Sequence, residues 1–305
     1  MTQSYAMNNS VPLNPHPPIA RLSQLRLRRA LAKTHEAYPD EADFLSRVGK
    51  LLEERLEEII LKPKNILDLG DKSGVMASLL RKRYPKARVY SLMPEQTLAQ
   101  HLHPPRGLLR RSRPVVVSEM SQLPFKRNQF DLVISNMALH WSADLPSSLR
   151  EIRRIMRREG LFLCTLAGEE TLRELRDCLN DLDRHRYGKA WPRVLKMPEL
   201  HQFGDMLSSS GFGLPVVDRD LIHPTLPAPS EIWRRLRVLG AGNHHQTRFP
   251  GLTGKGYLSD LDKLYRKRYS HENGQVTFTI DLIFGHAWKT SANANKKPNC
   301  ALPMP

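Results

Sequence analysis

An aspartate and two glycines follow a short apolar run in the stretch "NILDLGDKSGVMASLL", residues 65 to 80. The residues are Asp68, Gly70 and Gly74, and the segment after Gly74 has the composition of a helix. A glycine turn between a buried strand and a helix lets the backbone approach a polar or anionic ligand, and the helix N-terminus offers free N–H donors. The spacing therefore predicts a ligand-binding loop, although a tight strand-to-helix turn alone would also explain it.

Lys72 stands in the middle of this turn, where such loops usually carry a glycine. If the turn needs a positive φ or a close backbone approach there, a side chain is unfavourable. Alternatively, the ammonium group of Lys72 pairs with a carboxylate of the ligand. The sequence leaves both interpretations open.

Strands and helices alternate around this loop. Apolar runs separated by helical segments predict five strands, at "NILDLG", "ARVYSLM", "RPVVVSEM", "FDLVISNM" and "GLFLCTL". Parallel neighbours need crossover connections, so repeated units of this kind imply a mostly parallel sheet with helices on both faces. The expected fold is doubly wound α/β, with ligands beyond the carboxyl ends of the strands.

The flanking segments complete a seven-stranded sheet. Apolar residues over 41 to 61 recur with a period of about 3.6, which predicts an amphipathic helix ended by Pro63. After Gly168 the pattern becomes helical, with later strands at "LPVVDRDLI" and "VTFTIDLIFGHAWK". We expect one domain over 21–289, with a core at 65–166, a helical cover at 167–213 and 224–272, and disordered ends at 1–20 and 290–305.

The chain is strongly basic, with a net charge of +16. Such a balance favours an acidic partner. Each basic cluster by itself is typical of a solvated helix face or loop. The clusters are Arg26, Arg28 and Arg29; Arg81, Lys82 and Arg83; Arg106, Arg110, Arg111 and Arg113; Arg150, Arg153, Arg154, Arg157 and Arg158; Arg234, Arg235 and Arg237.

Cysteine usage and hydropathy narrow the class of protein further. The cysteines are Cys164, Cys178 and Cys300, and none forms the close pair that a zinc site or redox motif needs. Reduced thiols and no metal are therefore expected. No apolar run approaches the roughly 18 to 20 residues that span a bilayer, and the polar N-terminus does not resemble a secretory signal, so we expect a cytoplasmic protein.

The run from Asn65 to Leu166 resembles the class I S-adenosylmethionine-dependent methyltransferases, because "LPFKRNQFDLVISNMALHW" follows the glycine turn in the place expected for that superfamily. The resemblance implies a Rossmann-like fold and S-adenosyl-L-methionine as cofactor. In that family the glycine turn lies under the methionine and ribose portion. An acid at the end of the second strand binds the ribose hydroxyls, and an acid after the third strand meets the adenine.

Carried onto this chain, these roles fall on five matching positions. Asp68, Gly70 and Gly74 match the first motif, Glu119 stands at the adenine-contacting acid, and Asn136 follows the fourth strand.

Two positions depart from the family pattern. Lys72 replaces the central glycine, and Met93 occupies the place of the ribose acid. Losing a charge-assisted hydrogen bond costs about 1.5 to 3 kcal/mol, which corresponds to cofactor binding weakened roughly tenfold to a hundredfold. The neighbouring Glu95 is a candidate to reach the ribose instead.

A narrower resemblance covers roughly residues 40 to 290. The stretches "LHWSADLP", "GEETLREL", "GAGNHH" and "IFGHAW" are similar to those of the BioC enzymes of biotin synthesis, the malonyl-acyl carrier protein O-methyltransferases. The resemblance implies a carboxyl O-methyltransferase that methylates malonyl-phosphopantetheine on an acidic acyl carrier protein. The malonyl methyl ester then primes pimeloyl synthesis. The first 40 residues do not align clearly with this family.

Two alternatives remain on the sequence. "DFLSRVGKLLEERL", "LHW" and "GEETLREL" also resemble the mitochondrial complex I assembly factors, which keep a methyltransferase fold and act as arginine hydroxylases. A non-catalytic binding protein with a degenerate methyltransferase fold is the second alternative. Nucleic acid is a less favoured partner, because no aromatic-rich basic patch or RNA-binding appendage is evident.

Methyl transfer to a carboxylate needs no general base, because the nucleophile is already ionised at neutral pH. His140 and Trp141 follow the fourth strand, where substrate and cofactor should meet, and they are candidates to position the substrate. Arg173 and Arg176 are candidates to hold the malonyl carboxylate. Each of the four also has a purely structural interpretation. The adjacent His244 and His245 lack further ligands for a metal site.

Overall fold

The computed structural model describes residues 22–34, 42–70, 74–102 and 114–290. Lys72 lies outside the described residues, and so do the expected disordered ends apart from Thr290.

In the described part of the chain, seven strands form one sheet, and two further strands form a separate ribbon. The sheet contains β1 (Asn65–Leu69), β2 (Arg88–Met93), β3 (Val115–Val117), β4 (Phe130–Asn136), β5 (Met156–Ala167), β6 (Gly213–Ile222) and β9 (Ile280–Trp288), and the ribbon pairs β7 (Thr225–Leu226) with β8 (Val276–Thr277). The order in the sheet is β3-β2-β1-β4-β5-β9-β6. Strands β1 to β5 pair in parallel, and β9 runs antiparallel between β5 and β6. The predicted doubly wound, mostly parallel sheet is therefore confirmed.

Helices cover both faces of the sheet. Successive side chains of each strand point to opposite faces, and the buried strands are apolar on both. The helices are α1 (Gln24–Thr34), α2 (Ala42–Glu54), α3 (Val75–Arg83), α4 (Gln96–Leu102), α5 (Leu145–Ile155), α6 (Arg173–Tyr187), α7 (Leu200–Ser209), α8 (Pro229–Val238) and α9 (Lys255–Tyr269), and a short 3-10 helix spans Leu139–Trp141. Ile66 packs with α2 and α3, whereas Leu67 packs with α5 and α7.

A third apolar cluster lies in a helical cover formed by α6, α8, α9 and the β7–β8 ribbon. The cover is attached to the carboxyl edge of the sheet by backbone hydrogen bonds. Leu172 N donates to Thr279 O over 2.8 Å, and Gly168 N donates to Asp281 O over 2.9 Å. The segment after β5 is thereby held beside the start of β9.

The helix predicted over 41–61 is shorter than expected, because α2 ends at Glu54. Arg55 leaves the helix to bind Asp218 through two hydrogen bonds of 2.6 and 2.9 Å, and its guanidinium stacks 4.0 Å above the ring centroid of Phe284. These contacts with β6 and β9 override the apolar periodicity, and Pro63 does not decide where the helix ends.

The buried cysteines Cys164 and Cys178 are free thiols, and Cys300 lies outside the described residues. In the segments that the structure describes, no helix combines the length and apolarity needed to cross a membrane.

Asp183 connects three parts of the cover and should dominate its stability. Its fully buried carboxylate accepts hydrogen bonds of 2.7 Å from Arg193 Nε and 2.7 Å from Tyr257 Oη. Asp183→Ala would leave the Arg193 charge buried and unpaired, so we expect the free energy of unfolding to fall by about 3 kcal/mol in urea denaturation. The matched control is Asp181→Ala, whose carboxylate pairs with Arg184 and Arg268 at the surface. Its effect should stay within about 1 kcal/mol, and an equal loss in both variants would contradict the assignment.

Candidate functional site

A cavity that is partly open to solvent lies at the carboxyl edge of the sheet, with about 480 Å³ of empty space that includes its open mouth. Its floor is Gly70 after β1, and its walls include Pro94 after β2, the segment 118–121 after β3 and the segment 141–143 after β4. Helix α1 forms the remaining side. The cavity is where a doubly wound sheet is expected to bind its ligand.

The glycine turn has the geometry that only glycine adopts without strain. Gly70 has φ +79° and Gly74, which caps the N-terminus of α3, has φ +69°. A Cβ on Gly70 would lie 2.8 Å from Ala138 Cβ and 2.9 Å from Met120 Cε. The floor of the cavity therefore has no room for a side chain. Asp68 is fully buried beneath the turn and accepts a long 3.4 Å hydrogen bond from Ser91 Oγ.

Met93 does not offer a polar group to the cavity. The side chain is fully buried at the end of β2, and its backbone oxygen accepts a hydrogen bond from Ser118 N over 3.1 Å. Pro94, the next residue, lines the cavity instead. Glu95 is half-buried immediately before α4. The apolar residue predicted to weaken ribose binding is thus part of the sheet packing.

Glu119 and Asn136, both predicted to contact the cofactor, differ in their positions. Glu119 lines the cavity, and Arg28 Nη2 of α1 lies 2.7 Å from its Oε1. Asn136 is buried and does not line the cavity. Its amide donates to Leu45 O over 2.9 Å and accepts from Thr165 Oγ1 over 3.2 Å. Asn136 therefore connects α2, β4 and β5.

Helix α1 is the part of the site that the sequence reasoning missed. Leu27 and Leu31 are almost fully buried and line the cavity together with Gln24 and Arg28. The one signal available was the spacing of Leu27 and Leu31 by a helical turn. It was weak because Arg26 and Arg28 flank Leu27, and a basic cluster of this kind is typical of a solvated helix face.

Trp141 forms the lip of the cavity and is held from several sides. Its ring centroid lies 4.8 Å from that of His140 and 6.0 Å from that of His244. Its backbone oxygen accepts a 3.0 Å hydrogen bond from Gln24 Nε2. His244 Nε2 in turn lies 2.6 Å from Gly240 O. The "GAGNHH" loop therefore braces Trp141. Its two histidines form no metal site among the described residues, which contain no group of three potential metal ligands.

His140 connects the lip to the start of the cover. Its Nδ1 lies 3.4 Å from Ala167 N, at the end of β5. The segment after Ala167 carries Glu169, whose pKa is raised by burial and by the nearby carboxylates of Glu199 and Glu170. His140 thus lies between the cavity and the acidic loop that precedes α6.

Arg173 and Arg176 lie at the start of α6 and do not line the cavity. Arg173 pairs with Glu170 over 3.1 Å and with the buried Glu174 over 3.3 Å. Arg176 Nη1 donates to Glu169 O over 2.7 Å. The structure therefore brings Gly70, Glu119 and Trp141 to one cavity, whereas the two arginines lie outside its lining at the start of α6.

The lining suits a ligand with one flat apolar part and several polar groups. Leu27, Leu31 and Met120 provide apolar surface, while Glu119 and the turn at Gly70 provide polar contacts. This lining fits an adenosine-containing cofactor, with the exception of the ribose contact that Met93 does not supply.

The sheet order, the glycine turn and the cavity above it define a class I methyltransferase, an enzyme that uses S-adenosyl-L-methionine. The family described as "Methyltransferase domain" matches residues 67–164. The fold is similar to that of the YcgJ protein from Bacillus subtilis, with a TM-score of 0.55 and 14% identity over 80% of this chain and 99% of that one. A putative methyltransferase from Bacillus halodurans C-125 gives a TM-score of 0.52 and 16% identity over 81% and 99% of the two chains.

Curated relatives extend the likeness beyond this domain. The malonyl-[acyl-carrier protein] O-methyltransferase of Halorhodospira halophila is 33% identical over 262 residues, 86% of either chain. The enzyme of the same name from Methylovorus sp. is 30% identical over 89% of this chain and 90% of the relative, and one from Coxiella burnetii is 30% identical over 92% and 93%. The chain belongs to the malonyl-[acyl-carrier protein] O-methyltransferase family.

Adding a methyl group to Gly70 should block the cavity floor. Gly70→Ala introduces a Cβ within 2.9 Å of two side chains at a positive φ, so we expect the Kd for S-adenosyl-L-methionine to rise at least about tenfold in calorimetric titration. Gly188→Ala is the matched control, because Gly188 has φ +71° but no atom within 4 Å of the added Cβ. Its Kd should match that of the parent protein. An unchanged Kd for Gly70→Ala would show that the floor is not part of the cofactor site.

Loosening α1 should also weaken cofactor binding. Leu27→Ala combined with Leu31→Ala removes most of the apolar surface that holds α1 against the cavity, and buried leucine truncations cost about 2 to 5 kcal/mol each. We expect the cofactor Kd to rise at least about tenfold. Leu25→Ala, on the same helix but 60% exposed, should leave the Kd unchanged. Equal affinities for the parent protein, the double variant and the Leu25→Ala variant would exclude α1 from the site.

Proposed function

We propose that this chain transfers a methyl group from S-adenosyl-L-methionine to the free carboxylate of malonyl-acyl carrier protein. The observation that carries the proposal is the extent of the family likeness. The methyltransferase domain match ends at residue 164, whereas the relative from Halorhodospira halophila aligns over 262 residues. The alignment therefore extends beyond the shared cofactor core, where substrate specificity resides in such folds. The methyl ester product would prime pimeloyl synthesis for biotin.

The chain would hold the cofactor with residues around the cavity. When bound, S-adenosyl-L-methionine supplies a methyl group on a positively charged sulfur. The backbone at Gly70 and Gly74 would contact its methionine and ribose portion, and Glu119 would face its adenine. Glu119 is already paired with Arg28, so adenine would share that carboxylate with α1. Because Met93 is not an acid, it does not bind the ribose hydroxyls. The apolar surface of α1 would compensate for part of the cofactor affinity lost in this way.

The protein's task in this reaction is alignment and exclusion of water. A malonyl carboxyl group is ionised at neutral pH, so the nucleophile needs no base to activate it. Trp141 and α1 close the cavity from the solvent side, and His140 would orient the substrate between the lip and the loop after β5. Holding the carboxylate oxygen behind the methyl group supplies the catalytic advantage through proximity and orientation.

Arg176 is a stronger candidate than Arg173 for binding the malonyl carboxylate. The charge of Arg173 is compensated by Glu170 and Glu174. Arg176 forms no ion pair with any described residue, since its one recorded side-chain bond goes to a backbone oxygen. An uncompensated guanidinium can bind a carboxylate through two parallel hydrogen bonds. Asn136 would act indirectly, by fixing the end of β4 beneath the site.

Methyl transfer to malonyl-acyl carrier protein is directly measurable. With cofactor labelled in the methyl group, we expect label on the malonyl-carrier protein and none on acetyl-carrier protein, which lacks the free carboxylate. Mild base should release the label as methanol, because the product is an ester. Arg176→Gln should lower kcat/KM at least about tenfold, whereas Arg184→Gln on the exposed side of α6 should not.

Absence of transfer at saturating cofactor would contradict the proposed function. Label that survives mild base would instead indicate an acceptor other than a carboxylate.

A further inference from the structure

Four exposed basic side chains lie on two segments that pack against each other, and we call these four residues the basic rim. It consists of Arg29 and Lys33 of α1, Arg237 of α8 and Arg248 in the loop that follows. No carboxylate among the described residues pairs with any of them.

Contacts between α1 and the loop after α8 bring the rim residues together. A Cβ on Gly240, three residues after Arg237, would lie 2.9 Å from Leu31 Cδ2 of α1. Leu22 forms a β-bridge with His245, and Arg26 Nη1 donates to His245 O over 3.3 Å. These contacts bring two basic segments that are more than 200 residues apart in sequence next to each other.

In two other basic clusters that the structure describes, single arginines pair with nearby acids. Arg83 pairs with Glu53 over 3.2 Å, Arg154 with Glu151 over 2.7 Å, and Arg157 with Asp131 over 3.0 Å. By contrast, neither α1 nor the stretch 232–250 contains an aspartate or glutamate. The rim therefore lies on two stretches of chain that carry no acidic residue of their own.

The rim lies next to the cavity because α1 serves both. Its inner face presents Leu27 and Arg28 to the cavity, and its outer face carries Arg29 and Lys33. The loop after α8 also braces Trp141 through His244. A protein bound to the rim would be next to the cavity mouth, where a tethered substrate could enter.

We propose that the basic rim is the docking surface for the acidic acyl carrier protein. This inference rests on the proposed function, which provides a substrate carried on a protein. Charge complementarity of this kind raises association rates and orients the partner, and it weakens as salt screens the charges. The rim thereby directs the malonyl arm toward the lip at Trp141.

Charge reversal on the rim tests the proposal. The variant carries Arg29→Glu, Lys33→Glu and Arg237→Glu. The matched control carries Lys62→Glu, Lys64→Glu and Lys86→Glu, three exposed lysines at the opposite, amino edge of the sheet. Both proteins lose the same net charge. Binding of fluorescently labelled malonyl-carrier protein is measured by anisotropy at low and physiological salt, and cofactor titration verifies that each variant is folded.

At low salt we expect the rim variant to lose affinity for the carrier at least about tenfold, while the control stays within about twofold. KM for methylation should rise for malonyl-carrier protein and remain unchanged for malonyl-pantetheine, which has no carrier surface. If the triple variant loses cofactor binding, Arg237→Glu alone provides the same comparison on α8. Equal losses in the rim and control variants would overturn the rim as a docking surface.

The outcomes distinguish a failure of the docking surface from a failure of the proposed function. Carrier binding that depends on the rim, without methyl transfer, would support the docking surface and refute the reaction. A parent protein that binds no carrier would overturn the docking surface. Rim-dependent binding of an RNA oligonucleotide, with carrier binding unaffected by the rim, would assign the surface to nucleic acid instead.

Discussion

The crowded turn at Gly70 is the constraint on which the site depends. Its amide donates to Leu92 O of β2, and its Cα faces Ala138 after β4 and Met120 after β3. Four strand ends therefore converge on one residue that cannot carry a side chain. Close packing at this point brings the segments after those strands together, and it leaves the cavity above the turn as the space where a ligand fits.

Two contacts with distant segments convert this open strand edge into an enclosed site. The Arg28–Glu119 ion pair joins α1 to the segment after β3, and the His244–Trp141 ring contact joins the loop after α8 to the segment after β4. Enclosure matters for methyl transfer because exclusion of water removes the hydration shell of the carboxylate nucleophile. The same helix that lines the cavity carries Arg29 and Lys33 of the basic rim.

Met93, which departs from the family pattern, has a physical setting in the sheet. Met93 is packed entirely within the sheet, where an acid would be a buried charge needing compensation. Leu27 and Leu31 provide apolar walls for the cavity in the same region of the site. Cofactor binding in this family member would thus depend more on apolar enclosure and less on ribose hydrogen bonds.

The sequence by itself determined the alternation of strands and helices, the glycine turn and the family, because these depend on local periodicity and on short motifs. Only the tertiary structure decided where α2 ends, since Arg55 binds Asp218 and Phe284 from distant strands. It also placed α1 over the cavity, removed Asn136 from the lining and separated paired arginines from unpaired ones. Each of these depends on contacts between residues far apart in the chain, and charge patterns along a sequence do not specify such contacts.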